Sequence, residues 1–239
     1  MAINMNVIRR PADRNLYIAA AVTFPLLVLI GYFKSFYFRP FFEAFPLANG
    51  LVYMHGAIMT LWVLFFTLQI ALVRTKNLKL HISLGTAGIA LAIVLVVIGA
   101  WTAYDAHVVR QVAPPGMSPY TFLIVPIMDL VLFIVFFGGA IYYRKQPLTH
   151  KSLMLLTALN FLAAPLGRIP FIPPQFMILW AFGVPDVLAV GALVWTSIRH
   201  RKINWIFAAG TLLLVASHPF RVWLGFSDGW IDLMKRLFG

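Results

Sequence analysis

The sequence predicts an all-α fold, a polytopic transmembrane bundle of about seven helices, and three observations predict it. Of 239 residues, 62% are apolar and 11% are charged, against roughly 45–50% and about 25% in an average soluble domain. The apolar residues gather in runs close to the roughly 20 residues that a hydrocarbon core requires of each helix. The runs follow one another with no soluble insert, so residues 1–239 read as a single integral membrane domain.

The first helix is expected over 16–38, behind Arg9, Arg10 and Arg14. Its apolar run exceeds the roughly 7–15 residues of a signal-peptide core and carries no clear cleavage site, so it reads as a retained helix. Further helices are expected over 51–73, 82–104, 120–143, 152–169, 176–198 and 203–224, the fifth being short. Residues 230–238 mix Ile231, Leu233, Met234, Leu237 and Phe238 with Asp232, Lys235 and Arg236. That composition suits a short interfacial helix, or else a loosely ordered polar tail.

The formal charge is +12. On a soluble chain such a balance would raise nucleic-acid binding. Here the basic residues sit between apolar runs, where cytoplasmic loops and lipid headgroups recruit them, so no nucleic-acid partner is expected. The chain has no cysteine, which excludes disulfides, thiolate-held metal clusters and covalent c-type haem attachment. Any metal must be held by histidine, acid, methionine or amide groups.

Three short connections hold nine of the nineteen basic residues and no acid: Arg74, Lys76 and Lys79; Arg144, Lys145 and Lys151; Arg199, Arg201 and Lys202. The positive-inside rule places them in the cytoplasm of a bacterial inner membrane. On a count of seven helices the N-terminus is expected outside, although Arg9, Arg10 and Arg14 pull the other way. Asp13, Glu43, Asp105, Asp228 and Asp232 are assigned to the outer side. The outer connections carry turn chemistry at 40–49, at 113–119 (Pro114, Pro115 and Gly116) and at 170–174.

Ionisable groups inside a bilayer are costly, and are functional candidates by default. On the second helix His55, Met59, Trp62, Phe66 and Gln69 recur at steps of four and three, which puts them on one face. A stripe that is polar at both ends suits a ligand-lining face, and equally a packed one. On the third helix His81, Gly85, Gly88, Ala92 and Gly99 share a face. The small residues allow close helix packing, or leave room for a flat macrocycle beside a histidine. His81 and His150 each open a helix at the basic side, and two such histidines suit the axial positions of one iron. The plainer alternative is a pair of interfacial polar residues beside Lys79 and Lys151.

On the other leaflet lie His55 and His218, the latter in Ser217-His218-Pro219-Phe220-Arg221. Asp129 and Asp186 fall near mid-membrane, with Pro126 and Pro185 close by. Asn160 lies near mid-depth on the fifth helix, and Arg168 near its outer end. Central carboxylates must be protonated, paired or solvated. Asp129, Asn160, Arg168, Asp186 and Gln69 therefore form the candidate buried polar site, against the alternative of a structural polar network. His107 and His200 fall in loops.

The stretch His55-Gly56 … Trp62 … Gln69 … His81-x-x-Leu84-Gly85 … Gly99, followed by Tyr142-Tyr143-Arg144 and His150-Lys-x-Leu-Met, resembles a group of uncharacterised bacterial seven-helix membrane proteins of this size. That resemblance covers most of the chain and implies no activity. Residues 55–107 also resemble the second and third helices of the cytochrome b561 family, where histidines at such positions hold two b-type haems on opposite leaflets. The partner histidines of that family come from the next two helices, and its usual helix count is six. Here the fourth helix contains no histidine. The resemblance therefore implies a b-type haem on His81 and His150, and a second only if His55 pairs with His218.

Three functions are expected to compete. One is a haem protein passing electrons between a quinone and an acceptor. The second is a proton-coupled transporter built on Asp129, Asp186, Asn160 and Arg168. The third is a non-catalytic subunit or assembly factor of a larger membrane complex, its 21 Phe, 7 Trp and 8 Tyr packing against pigments, quinones or partner helices. A metal-dependent enzyme using His55, His218 and the acids has no HExxH, GxSxG or P-loop pattern behind it. A retinal protein is excluded, because 203–224 holds no lysine for the Schiff base.

Overall fold

A computed structural model describes residues 11–42, 48–114, 116–169 and 171–239, without the side chains of 11–14 and 174. Arg9, Arg10, Glu43, Pro115 and Pro170 lie outside the described residues, as do the side chains of Asp13 and Arg14. No strand forms among the described residues. The helices are α1 (Pro11–Tyr32), α2 (Gly50–Arg74), α3 (Leu78–Tyr104), α4 (Pro119–Tyr142), α5 (Pro147–Asn160), α6 (Ala163–Leu166), α7 (Met177–His200), α8 (Trp205–Gly225) and α9 (Asp228–Phe238).

Side-chain caps set several helix starts. Asn49, Asn77, Ser118, Asn204 and Ser227 each accept from a backbone N–H three residues on, satisfying a donor that has no partner within the helix. Pro119 follows its cap at the first helical position, where a missing N–H costs nothing. α1 and α3 run on into π-helical turns at Phe33–Tyr37 and Asp105–Val109. In the second of these, Asp105 accepts from Arg110 Nε at 2.7 Å and from Asn49 Nδ2 at 3.1 Å, tying α3 to the start of α2.

Among the described residues six helices are long and apolar enough to cross a membrane, one fewer than the sequence predicts. The difference is the fifth segment. It forms not one helix over 152–169 but the 14-residue α5, a break, and the four-residue α6. Pro165 explains the break: it has no N–H for the Phe161 carbonyl, and its ring crowds that carbonyl. Phe161 and Leu162 tighten instead onto carbonyls three residues back. At about 1.5 Å per residue α5 is roughly 21 Å long, short of a hydrocarbon core of about 30 Å. Every residue from Leu155 to Asn160 is buried, so this stretch is enclosed by protein on all sides.

α5 lies against α4, α7 and α8, and the aromatic core forms beside it. Trp62 meets Phe133 edge-on with ring centres 5.0 Å apart, and Phe161 lies 5.1 Å from Phe133. Leu61, Leu64, Ile93, Val97, Val187 and Val194 stay exposed. On helices this apolar, such faces suit acyl chains better than water.

The start of α1, expected across the membrane from the basic connections, packs at the same end of the bundle as the start of α5. Lys151 stands over the Tyr17 ring at 5.0 Å, so the first turns of α1 share a side with the start of α5. Asn204, opening α8, donates to Thr149 at 3.1 Å on that same side. Two crossings separate the start of α1 from the α2–α3 connection, and two crossings return a chain to the side it left.

The segment expected at 230–238 folds as α9 rather than as a polar tail. Met234 is buried, and the Trp230 indole donates to the Tyr120 carbonyl at 2.8 Å.

Candidate functional site

Four helices bring five polar side chains into the bundle. α4 and α8 run antiparallel, and close approach of Gly225 to the Thr121 carbonyl sets their register. One turn inward on α8, about 6 Å, stands Arg221, level with Val125. One further turn inward on α4 is Asp129. Arg221 therefore extends toward the bundle centre, and its Nη1 donates to Asp129 Oδ1 at 2.5 Å. Its Nη2 lies 3.4 Å from Asn160 Oδ1, while Asn160 Nδ2 donates to the Asp129 carbonyl at 2.8 Å. Arg221 is 1% exposed and Asn160 0%.

Arg221 and His218 lie three residues apart on one face of α8. His218 Nδ1 meets Asp186 Oδ1 of α7 at 2.8 Å. With Asp186 ionised its carboxylate accepts, and in the neutral imidazole Nδ1 then carries the proton and Nε2 keeps a lone pair. The Phe182 ring stacks on the imidazole at 4.5 Å and lies 5.8 Å beneath the Arg221 guanidinium. Each of these helices has a proline nearby: Pro126 on α4, Pro185 on α7 and Pro219 on α8, with Pro165 just beyond α5. Each frees a backbone carbonyl near the charged groups.

Two nitrogens in this cluster are buried without a hydrogen-bond partner, Arg221 Nε and His218 Nε2. Between α4, α7 and α8 a cleft of about 60 Å³ reaches Arg221, lined also by Met117, Thr121, Phe122, Ile178 and Phe182.

Three of the five residues of the expected polar site, Asp129, Asn160 and Asp186, lie in this cluster together with His218, which the sequence instead pairs with His55, and the cation among them is Arg221. Arg168 is not part of the cluster. It is exposed at the far end of α6, donates to the Ala164 carbonyl at 2.7 Å and lies 4.7 Å over the Tyr32 ring. Arg221 was detectable, since it shares a helical face with His218 inside an apolar run. Its place near the end of that run reads instead as a headgroup-facing residue.

The second group lies at the basic side. The ring centres of His81 and His150 are 6.4 Å apart, nearly perpendicular at 81°. His150 Nδ1 donates to the Ala140 carbonyl at 2.8 Å. The Gln69 carboxamide belongs here rather than with the acids: its nitrogen donates to His81 Nδ1 and its oxygen accepts from the Gly85 amide at 3.2 Å. Space beside Gly85 is open, while the Phe65 ring fills the space beside Gly88.

His55 is not brought to His218. It is half-buried on α2, which packs against α1 and α3, whereas His218 is engaged by Asp186 and Phe182 of α7. Along the α2 stripe Trp62, Phe66 and Gln69 are buried, so that face does turn inward. Among the described residues no three histidine or acid side chains group as metal ligands.

No protein-family model matches the chain, no curated protein matches it, and no solved structure matches its fold.

Proposed function

We propose that this chain is a proton-coupled membrane carrier whose working centre is the Asp129–Arg221–Asn160 and Asp186–His218 cluster. The observation that carries the reading is the placement of a 1%-exposed arginine, ion-paired to Asp129, three residues from a histidine–aspartate pair in the same bundle. A charge embedded in a membrane protein costs several kcal/mol unless it is paired or hydrated, and such groups mark ion and proton paths. Arg221 and Asp129 nearly neutralise each other. The proton shared by His218 and Asp186 then decides the net charge of the centre, which is the quantity a proton-coupled carrier must change. The nearby prolines give α4, α7 and α8 points at which to bend.

In this reading the basic connections and the first turns of α1 face the cytoplasm of a bacterial inner membrane, and α9 lies at the outer surface. The test uses full-length protein in liposomes loaded with a pH-sensitive dye, under an imposed pH gradient and with a panel of organic acids, amino acids and sugars outside. Solute-dependent acidification should occur with the wild type and vanish with Asp186→Asn. Identical behaviour of the two proteins toward every solute class overturns the reading.

A second reading is favoured by one observation, the 6.4 Å between the His81 and His150 ring centres. Two imidazoles on one metal, each bond about 2 Å, place their ring centres roughly 6 Å apart. His150 gives its Nδ1 proton to a backbone carbonyl, as metal-bound histidines commonly do, and keeps Nε2 free. The set would fit a b-type haem, with His81 and His150 as axial ligands and space beside Gly85, once His81 carries its proton on Nδ1 and the Gln69 carboxamide turns its oxygen to accept it, which frees His81 Nε2. Bound there, haem would supply one-electron transfer with a quinone or a larger membrane complex. Purified protein should then show a Soret band that shifts on reduction with dithionite. Protein left colourless after incubation with haem removes this reading.

A further inference from the structure

The two partnerless nitrogens of the buried cluster differ in kind. Arg221 Nε–H is a donor with no acceptor. His218 Nε2, when Nδ1 donates to an ionised Asp186, is an acceptor with no donor. Buried polar atoms are satisfied in the great majority of cases, and an exception calls for an occupant. The residues stand one turn apart on α8, at a Cβ separation of roughly 5–6 Å. Phe182 is a common wall for both and also lines the cleft that reaches Arg221.

From this we infer that the site binds a short monocarboxylic acid together with one proton, an inference that rests on the carrier reading and names its substrate class. A carboxylic acid presents the matching pair: its carbonyl oxygen accepts from Arg221 Nε–H, and its hydroxyl donates to His218 Nε2. The proton can also pass from the acid to His218, giving a carboxylate between two donors, guanidinium and imidazolium. No atom is gained or lost in that transfer, and the N–H bond formed replaces the O–H bond broken.

Charge explains why the proton must accompany the acid. His218 is faced by Asp186 from α7, with Arg221 one turn away on its own helix; Asp129 from α4 and the neutral Asn160 from α5 join the cluster through Arg221. The charges of α9, Asp228, Asp232, Lys235 and Arg236, are exposed. With His218 neutral, two carboxylates and one guanidinium leave the cluster at one net negative charge. A bare carboxylate would add a second in a low-dielectric interior, where like charges repel strongly. The acid adds none. Size sets the length: His218 does not line the cleft, so the carboxyl group bridges the two nitrogens beside it while the short alkyl tail enters the apolar 60 Å³ next to Arg221 and Phe182.

The test is calorimetric titration of acetate and propionate into detergent-purified full-length protein, in buffers of different ionisation heat so that protons are counted. The wild type should take up close to one proton per acetate bound, and acetamide and methylammonium should not bind. His218→Gln leaves the charge of the cluster unchanged, so it should weaken acetate roughly tenfold or more while the residual binding still brings its proton. Phe182→Leu, which leaves every hydrogen-bonding group in place, should weaken binding while keeping the proton count. No acetate binding by folded protein, or binding without proton uptake, overturns the inference. If acetate fails to bind while another solute drives Asp186-dependent acidification, the inference falls and the carrier reading stands. If acetate binds with its proton but no solute drives acidification, the binding site stands and the carrier reading falls.

Discussion

Arg221 of α8 closes on Asp129 of α4 at 2.5 Å with its own side chain wholly excluded from the surface and that of Asp129 15% exposed. Neither residue reaches the other's level by backbone position; the length of the arginine covers the remaining turn. The pair is therefore a measuring rod between two antiparallel helices.

Breaking it from one side should be expensive. Arg221→Met leaves Asp129 without its cation, and Asp129→Asn leaves a buried guanidinium short of an anion. Each should cost on the order of 3–5 kcal/mol. The double variant removes both charges and should recover most of that loss. Thermal unfolding in detergent, run as a double-mutant cycle, reads the coupling; additive losses would show that the ion pair contributes nothing.

Glycines give a second prediction. A Cβ on Gly225 would meet the Thr121 backbone carbonyl, whereas Gly138 and Gly191 face open space. Gly225→Ala must push α8 from α4 and should cost about 1–3 kcal/mol. Gly138→Ala and Gly191→Ala relieve the entropy cost of a mid-helix glycine and should gain about 0.5–1 kcal/mol. Melting temperatures of the three variants should split in sign.

Much of this architecture is legible in the sequence. The α2 stripe of Trp62, Phe66 and Gln69 turns inward as its spacing requires, and Asp129, Asn160, Asp186 and His218 converge because buried polar groups seek one another. The fifth segment is not legible as a break from apolarity alone, since 152–169 reads as one apolar run despite Thr157, Asn160 and Arg168. Pro165 is the local signal, and only enclosure by α4, α7 and α8 makes so short a helix tenable. Arg221 escapes for a different reason. A basic residue near a helix end ordinarily extends outward to headgroups, and nothing local to α8 shows that Gly225 docks tightly enough on α4 to aim the side chain inward. Arg168 shows the converse: its composition suits a partner for the acids, but the turn after α6 carries it to Tyr32.

The crossing pattern predicts that the start of α1 and Gly239 lie on opposite faces of the membrane. Single cysteines at Lys76 and Lys202 should be labelled by an impermeant reagent from the face that also exposes an N-terminal tag, and cysteines at Ser118 and Gly229 from the other. Because the chain has no native cysteine, each signal has one source. Labelling of Lys76→Cys and Gly229→Cys from the same face would refute the pattern.

The cleft beside Arg221 makes a related prediction. Met117→Cys and Phe122→Cys line it and should react with a small hydrophilic thiol reagent. Leu61→Cys, Val97→Cys and Val187→Cys, on exposed apolar faces, should not react, because thiolates do not form in hydrocarbon. Equal reactivity at both sets would mean that water does not reach Arg221 by this route.

The brevity of α5 bears on how the protein is made. A segment of this length, ending in Asn160 and interrupted before Pro165, has little reason to leave the insertion machinery for lipid by itself, since its Thr157 and Asn160 side chains and its freed carbonyls would face acyl chains. It must wait for α7 and α8, synthesised after it, to enclose it. Nascent chains halted before α8 should thus hold this piece unsettled and open to quality-control proteases, and the last long helix to emerge becomes the one that commits the earlier ones to the bilayer.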